Sequence, residues 1–222
     1  MQRRNEFLGI GFFLVCFLFG TMGCGPSETE KQVQPANIDE LVEHQQLLEA
    51  GLGMLSDWMS HWRSEGLEGG VASFTKTQTS PIENLERPEV NPLANSESPL
   101  EPFQLANPEE LGVVDIYDYK VRIDEQGAML YEPDAEVIFY KDNGMRERLL
   151  FIGPSGLFED AVWVTGRTLF VGGYFEGEGG FSPMLWLVSL DSGTYEVYES
   201  SFVSPNYARH GYLEEKLTNG RK

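Results

Sequence analysis

"AVWVTGRTLFVGGYFEGEGGFSPMLWLVSLDSGTYEVYES", residues 161–200, decides how this chain folds. It contains four runs rich in Val, Leu, Phe, Trp and Tyr, each short, each bounded by turn residues. Such runs read as strands, because branched and aromatic side chains pack well on a pleated surface. "AVWV" and "TLFVGGYF" flank a turn at Gly166. "MLWLVSL" and "TYEVYES" flank Asp191-Ser192-Gly193, a triplet suited to a tight turn. Met184 to Val188 is apolar on both faces, which predicts a central strand covered on both sides.

Moving upstream, "AEVIFYKDNGMRERLLFI" (135–152) reads as a hairpin, with Asn143-Gly144 supplying the positive φ angles of its turn. "VVDIYDYKVRID" (113–124) alternates: Val113, Tyr117, Tyr119, Val121 and Ile123 mark one face, and Asp118, Lys120, Arg122 and Asp124 the other. Strict alternation predicts a strand with one wet face. No long helical pattern separates these runs, which argues against a parallel α/β sheet. The expected fold is α+β and mainly β: an antiparallel sheet or small sandwich of about seven strands, with one N-terminal amphipathic helix. The strand-turn-"LWLVSLDSG" cadence of 160–200 resembles a single four-stranded blade of the β-propellers. A propeller needs at least four blades, and this chain has room for about two, so the resemblance implies a lone sheet rather than a closed ring.

The helix is expected over 37–64. Ile38, Leu41, Leu48, Leu52, Leu55, Met59 and Trp62 recur at steps of three, four or seven, Trp58 widens the apolar face, and Asn37 with Glu40 resembles a capping box. Gly51 and Gly53 weaken its middle. Two internal glycines in under four heptads favour packing on the β domain over a coiled coil. Residues 65–108 carry Pro81, Pro88, Pro92, Pro99, Pro102 and Pro108 and read as a Pro-rich linker, docked in part as a strap. The β domain is expected over 109–205, and 206–222 as a polar C-terminal tail.

The N-terminus has its own logic. Arg3 and Arg4 precede an almost wholly apolar run from Phe7 to Phe19, and Gly20 and Gly23 follow: the layout of a signal peptide over 1–23. Gly23-Cys24 resembles the end of the bacterial lipoprotein signal, with Thr21 and Met22 departing from its usual Leu and small residue. The resemblance implies that Cys24 receives a diacylglycerol, that the leader is cut before it, and that residues 24–36 form a tether. Cys16 lies inside the leader and would leave with it, so Cys24 would have no disulfide partner. Gly25, not Asp, follows the cysteine, and in the enteric pattern that points to the outer membrane. The implied location is the cell envelope, with membrane lipid as the first partner through acylated Cys24.

Composition bounds the rest. A hydrophobic content of 41% is enough to build a core, so the chain is not disordered as a whole. A formal charge of −19 repels nucleic acid, whose binding needs Lys and Arg to displace counterions. The histidines, His44, His61 and His210, do not fall at metal-ligand spacing, and Ser155 in "GPSG" lacks a nucleophile-elbow pattern. No catalytic residue, metal or cofactor is therefore assigned. Glu159-Asp160 reads as a solvated turn pairing with cations or with Arg167. The candidate ligand surface is Tyr174, Phe175, Glu176, Glu178 and Phe181, aromatics and carboxylates around a Gly-rich hairpin tip, suited to a glycan or protein partner in the envelope. The sequence thus favours an envelope lipoprotein with a non-catalytic binding or structural domain over a small envelope hydrolase or carbohydrate-processing protein.

Overall fold

The computed structural model describes residues 38–83, 85–94 and 96–220. The expected leader, Cys24, the tether and the Asn37 cap lie outside the described residues.

Two helices open the described chain, α1 (Ile38–Met54) and α2 (Ser56–Ser64). The single helix expected over 37–64 is interrupted at Leu55, although hydrogen bonds from Leu55 N to Gly51 O and from Met59 N to Leu55 O carry across the break. Leu48, Leu52, Leu55, Trp58, Met59 and Trp62 are buried, while Leu41 is 56% exposed, so the apolar stripe docks only from its second half. Gly51 has a packing role: a Cβ there would stand 2.6 Å from the Phe170 ring, so glycine lets the helix backbone approach the sheet.

The sheet beneath has five antiparallel strands. It contains β1 (Phe74–Pro81), β9 (Gly156–Thr165), β10 (Thr168–Gly177), β11 (Gly180–Ser189) and β12 (Thr194–Ser200), in the order β1-β12-β11-β10-β9. The four runs of 161–200 are thus consecutive neighbours. β11 lies at the centre, with Leu185 to Val188 buried, as the two-faced apolar pattern predicts. Gly193 takes φ 62° in the β11–β12 turn.

A second antiparallel sheet holds β2 (Glu86–Pro88), β3 (Leu105–Ala106), β4 (Gly112–Asp115), β7 (Ala135–Lys141) and β8 (Met145–Ile152), in the order β2-β8-β7-β4-β3. The β7–β8 hairpin turns over 141–144, with Gly144 N–H donating to Lys141 O at 3.1 Å; Gly144 takes φ 83° but Asn143 does not take a positive φ, so one of the two expected angles is present. A separate hairpin joins β5 (Val121–Ile123) to β6 (Met129–Tyr131). One buried apolar cluster runs through both five-stranded sheets and α1 and α2.

Three expectations are corrected. The alternating stretch 113–124 is not one strand. Asp115 Oδ1 accepts the backbone N–H of Tyr117 at 2.9 Å and of Asp118 at 2.7 Å, and this local turn ends β4 before β5 begins. The Pro-rich segment supplies three strands. Its Pro81 and Pro88 sit at the last positions of β1 and β2, both edge strands, where a missing N–H costs least. With these three, the division of 113–124 into β4 and β5, and the unexpected β6, the described residues hold twelve strands rather than about seven. The expected polar tail forms a third helix, α3 (Gly211–Asn219), with Tyr212, Leu213 and Leu217 buried.

Candidate functional site

The densest polar arrangement is built on an irregularity in β9. Asp160 pairs with Gly172 of β10 and Phe158 with Gly173, so Glu159 is the extra residue of a β-bulge. A bulge re-aims side chains. Here Glu159 and Asp160, adjacent in a strand, both reach partners on the helical side of the sheet. Gly172 and Gly173 make the approach possible: a Cβ on Gly172 would lie 2.9 Å from the Trp58 indole, and one on Gly173 2.0 Å from Leu157 O.

Glu159 is fully buried. Trp58 and Trp62, one helical turn apart on α2, aim both indole N–H groups at Glu159 Oε2, at 2.8 and 3.3 Å. Tyr207 donates its hydroxyl to Oε1 at 2.5 Å, and the Tyr207 ring stacks on Trp62 with centroids 4.1 Å apart. Tyr117 donates to the Glu159 carbonyl at 3.0 Å. Burial pushes the carboxyl up to about 7, against the three side-chain donors, and the neighbouring Asp160 pushes the same way. Burial and the adjacent carboxylate likewise hold the Tyr207 phenol far above its ordinary range.

Asp160 accepts from the Tyr212 hydroxyl and from Lys216 Nζ, both on α3. His61 meets Tyr207 and Tyr212 edge-on, at 5.4 and 5.3 Å between centroids, and lies 3.9 Å from Glu215. Above this network α2 and α3 leave an open cleft of about 560 Å³, lined by Asp57, Ser60, His61, Tyr212, Glu215 and Lys216 among others. Phe103 and Lys216 separate it from a smaller hollow of about 180 Å³ that reaches Asp160. Lys216 is engaged by Asp160, and Asp57 and Glu215 remain at the rim, so the cleft favours neutral polar or cationic groups over anions.

The five residues of the expected ligand surface do not form one surface. Along β10, Tyr174 and Glu176 share a face with Phe181, which pairs opposite Glu176. The chain's own 204–209 segment covers that face. Phe181 makes a two-bond bridge with Ser204, Tyr174 donates to Arg209 O at 2.7 Å, and Arg209 ion-pairs with Glu176. Tyr174 and Phe181 are buried, whereas Phe175 on the opposite face and Glu178 at the tip are exposed. Reading Glu159-Asp160 as a solvated turn is likewise corrected: both are buried strand residues, and Arg167 pairs instead with Asp191 at 3.2 Å and Glu109 at 3.8 Å.

The histidines have separate surroundings. His44 Nε2 is 2.5 Å from the Tyr198 hydroxyl and 3.0 Å from Glu196. His210 stacks on Tyr131 at 3.7 Å, and burial with Lys120 and Arg209 nearby pushes it down to about 4. Among the described residues no three His, Cys, Asp or Glu side chains gather to hold a metal. The signals that could have located the Glu159 cluster were two: indoles at i and i+4, and a carboxylate pair inside the apolar run "GLFEDAVWV". Compared with known proteins, the chain matches no family model, no curated protein and no solved structure.

Proposed function

We propose that this chain is a lipid-anchored protein of the bacterial cell envelope, held through Cys24, whose β-rich domain binds an envelope partner and performs no catalysis. The two five-stranded sheets are read as a small sandwich that presents the α2–α3 cleft. The observation that carries the binding reading is the contrast between the cleft and the carboxylates beneath it. The cleft is open and hydroxyl-, imidazole- and aromatic-lined, while Glu159 has no solvent exposure and both its oxygens are already occupied. A general acid must reach its substrate; Glu159 reaches only the protein. A neutral, polyhydroxylated ligand such as a glycan suits that lining, with half-buried Phe103 for stacking and Ser60 and His61 for hydrogen bonds. The acidic chain leaves nucleic acid out of its partners.

The alternative, a small envelope hydrolase or carbohydrate-processing protein, draws on one observation: Glu159 at about 7 is in the range of a catalytic acid. Two measurements decide. Metabolic labelling with palmitate should mark the wild type and not Cys24→Ala; equal labelling, or none in either, ends the anchored reading. Glycan binding should survive Glu159→Gln and weaken in Phe103→Ala. Turnover that Glu159→Gln abolishes would establish the enzyme instead.

A further inference from the structure

Residues 201–220 form a hook behind the last strand. Beyond Ser200 the chain adds no strand to either five-stranded sheet, so the hook can leave without breaking one. Of its residues only Ser204, Tyr207, Tyr212, Leu213 and Leu217 are buried. Polar contacts carry much of its attachment. Ser204 exchanges two backbone bonds with Phe181 and donates its hydroxyl to Glu65 at 2.8 Å. Arg209 reaches Glu176 and the Pro154 carbonyl, and Glu214 accepts from Tyr131 at 3.0 Å. Tyr212 and Lys216 hold Asp160. At the centre Tyr207 covers Glu159, with its hydroxyl 2.5 Å from Oε1 and its ring flat against Trp62.

With the hook down, Glu159 has no solvent exposure. The groups that face it are the Trp58 and Trp62 indoles on α2, the phenols of Tyr207 on the hook, Tyr174 on β10 and Tyr117 after β4, and the Asp160 carboxyl beside it. None of these is a cation, and Lys216 is spent on Asp160. The closed arrangement accommodates a proton, because the Tyr207 oxygen can accept from the acid as well as its O–H can donate to the carboxylate. Raising the hook would bring water to Oε1 and leave both indoles in place on α2. A carboxylate gains more from that water than the neutral acid does, so ionisation favours the raised state.

We infer that residues 201–220 are a pH-sensitive latch, which lifts as one unit from β9, β10 and α2 when Glu159 ionises and closes when Glu159 takes up a proton. The hook carries α3, one wall of the α2–α3 cleft, so lifting it takes the cleft apart. A ligand held there would be released as pH rises. That consequence rests on the proposed binding function; the movement itself does not.

The test is hydrogen–deuterium exchange of the full chain, read by mass spectrometry at pH 5, 6, 7 and 8 and corrected for the intrinsic pH dependence of amide exchange. Peptides from 201–220 should lose protection together, while those from the two five-stranded sheets keep theirs. A carboxyl at about 7 with the hook down and near 4.5 with it raised binds more protons in the closed state between those values. The raised fraction should therefore grow about tenfold or more from pH 5 to pH 7 and level off above. His210, on the hook itself, titrates near 4 and stays outside that window. Glu159→Gln should flatten the pH dependence. Tyr207→Phe, a second variant that removes only the hydroxyl, should speed exchange of 201–220 about fivefold at pH 8 and less at pH 5. The inference is overturned if 201–220 exchanges no earlier than the sheets or if its corrected protection holds or rises from pH 5 to pH 7. It is equally overturned if Glu159→Gln keeps the wild-type pH dependence, or if Tyr207→Phe acts equally at both pH values.

Discussion

The buried carboxylate of Glu159 makes the protein's stability depend on pH in an unusual direction. In the unfolded chain a glutamate titrates near 4.5, and in the folded protein Glu159 is raised to about 7. Between those two pH values the folded state binds one more proton than the unfolded state, so stability falls as pH rises through that window. A change from 4.5 to about 7, at about 1.4 kcal/mol per pH unit, amounts to about 3 kcal/mol. Full burial means that solvent does not screen this contribution. Glu159→Gln removes the titration while keeping an acceptor for the two indoles and a polar group facing Tyr207. The free-energy difference between variant and wild type should therefore shift by about 3 kcal/mol in the variant's favour from pH 4.5 to pH 8. Taking the difference cancels the other carboxylates, which both proteins share. Urea unfolding read by tryptophan fluorescence at a series of pH values measures it, with Trp58 and Trp62 as reporters beside the altered group. A difference that stays flat, or that favours the wild type as pH rises, would refute the reasoning. It would mean that the three donors outweigh desolvation and keep the carboxylate charged.

Three further outcomes are expected. Gly51→Ala should destabilise by about 1–3 kcal/mol through its clash with Phe170, although alanine is the better helix former; Gly53→Ala, with open space around it, should stabilise by about 0.5–1 kcal/mol, and parallel thermal melts compare the two. Tyr207→Phe removes the hydroxyl donated to Glu159 and should cost about 1–3 kcal/mol near pH 8 but less near pH 5, where the carboxyl is neutral; urea unfolding at both pH values checks it. The imidazole of His210 should titrate near 4, with its NMR signals unmoved between pH 6 and 8, because burial, and after it Lys120 and Arg209, disfavour the charged ring.

How much of this was legible in the sequence follows from what each element depends on. The strands of 135–152 and 161–200 announced themselves, since Asn143-Gly144, Gly166 and Asp191-Ser192-Gly193 fix the turns and the runs between them have one reading. β1 gave no comparable signal. "FTKTQTSP" is polar and exposed nearly throughout, and it pairs because β12 offers an open edge, not because of its own pattern. α3 was hidden by brevity: three buried residues in nine are too few to show a helical period. The Glu159 site was hidden by register. Composition shows a carboxylate pair in an apolar run, but only the bulge opposite Gly172 and Gly173 turns both groups toward the helices. The residues of the expected ligand surface are divided for a related reason, because the segment that covers Tyr174 and Phe181 comes from residues 204–209, which read as the end of the domain.

The pairing of β1 with β12 joins residue 74 to residue 200, and Tyr207 closes over a carboxylate already held by Trp58 and Trp62. As the chain emerges from the ribosome, its first helices and first strand therefore have nothing complete to fold upon. They wait for a partner strand more than a hundred residues away and for a phenol further on still. Long-range pairing of this kind slows folding. The first helices and β1 thus stay without their partners until the last quarter of the chain has been made, while the sheet of residues 86–152 is complete before it.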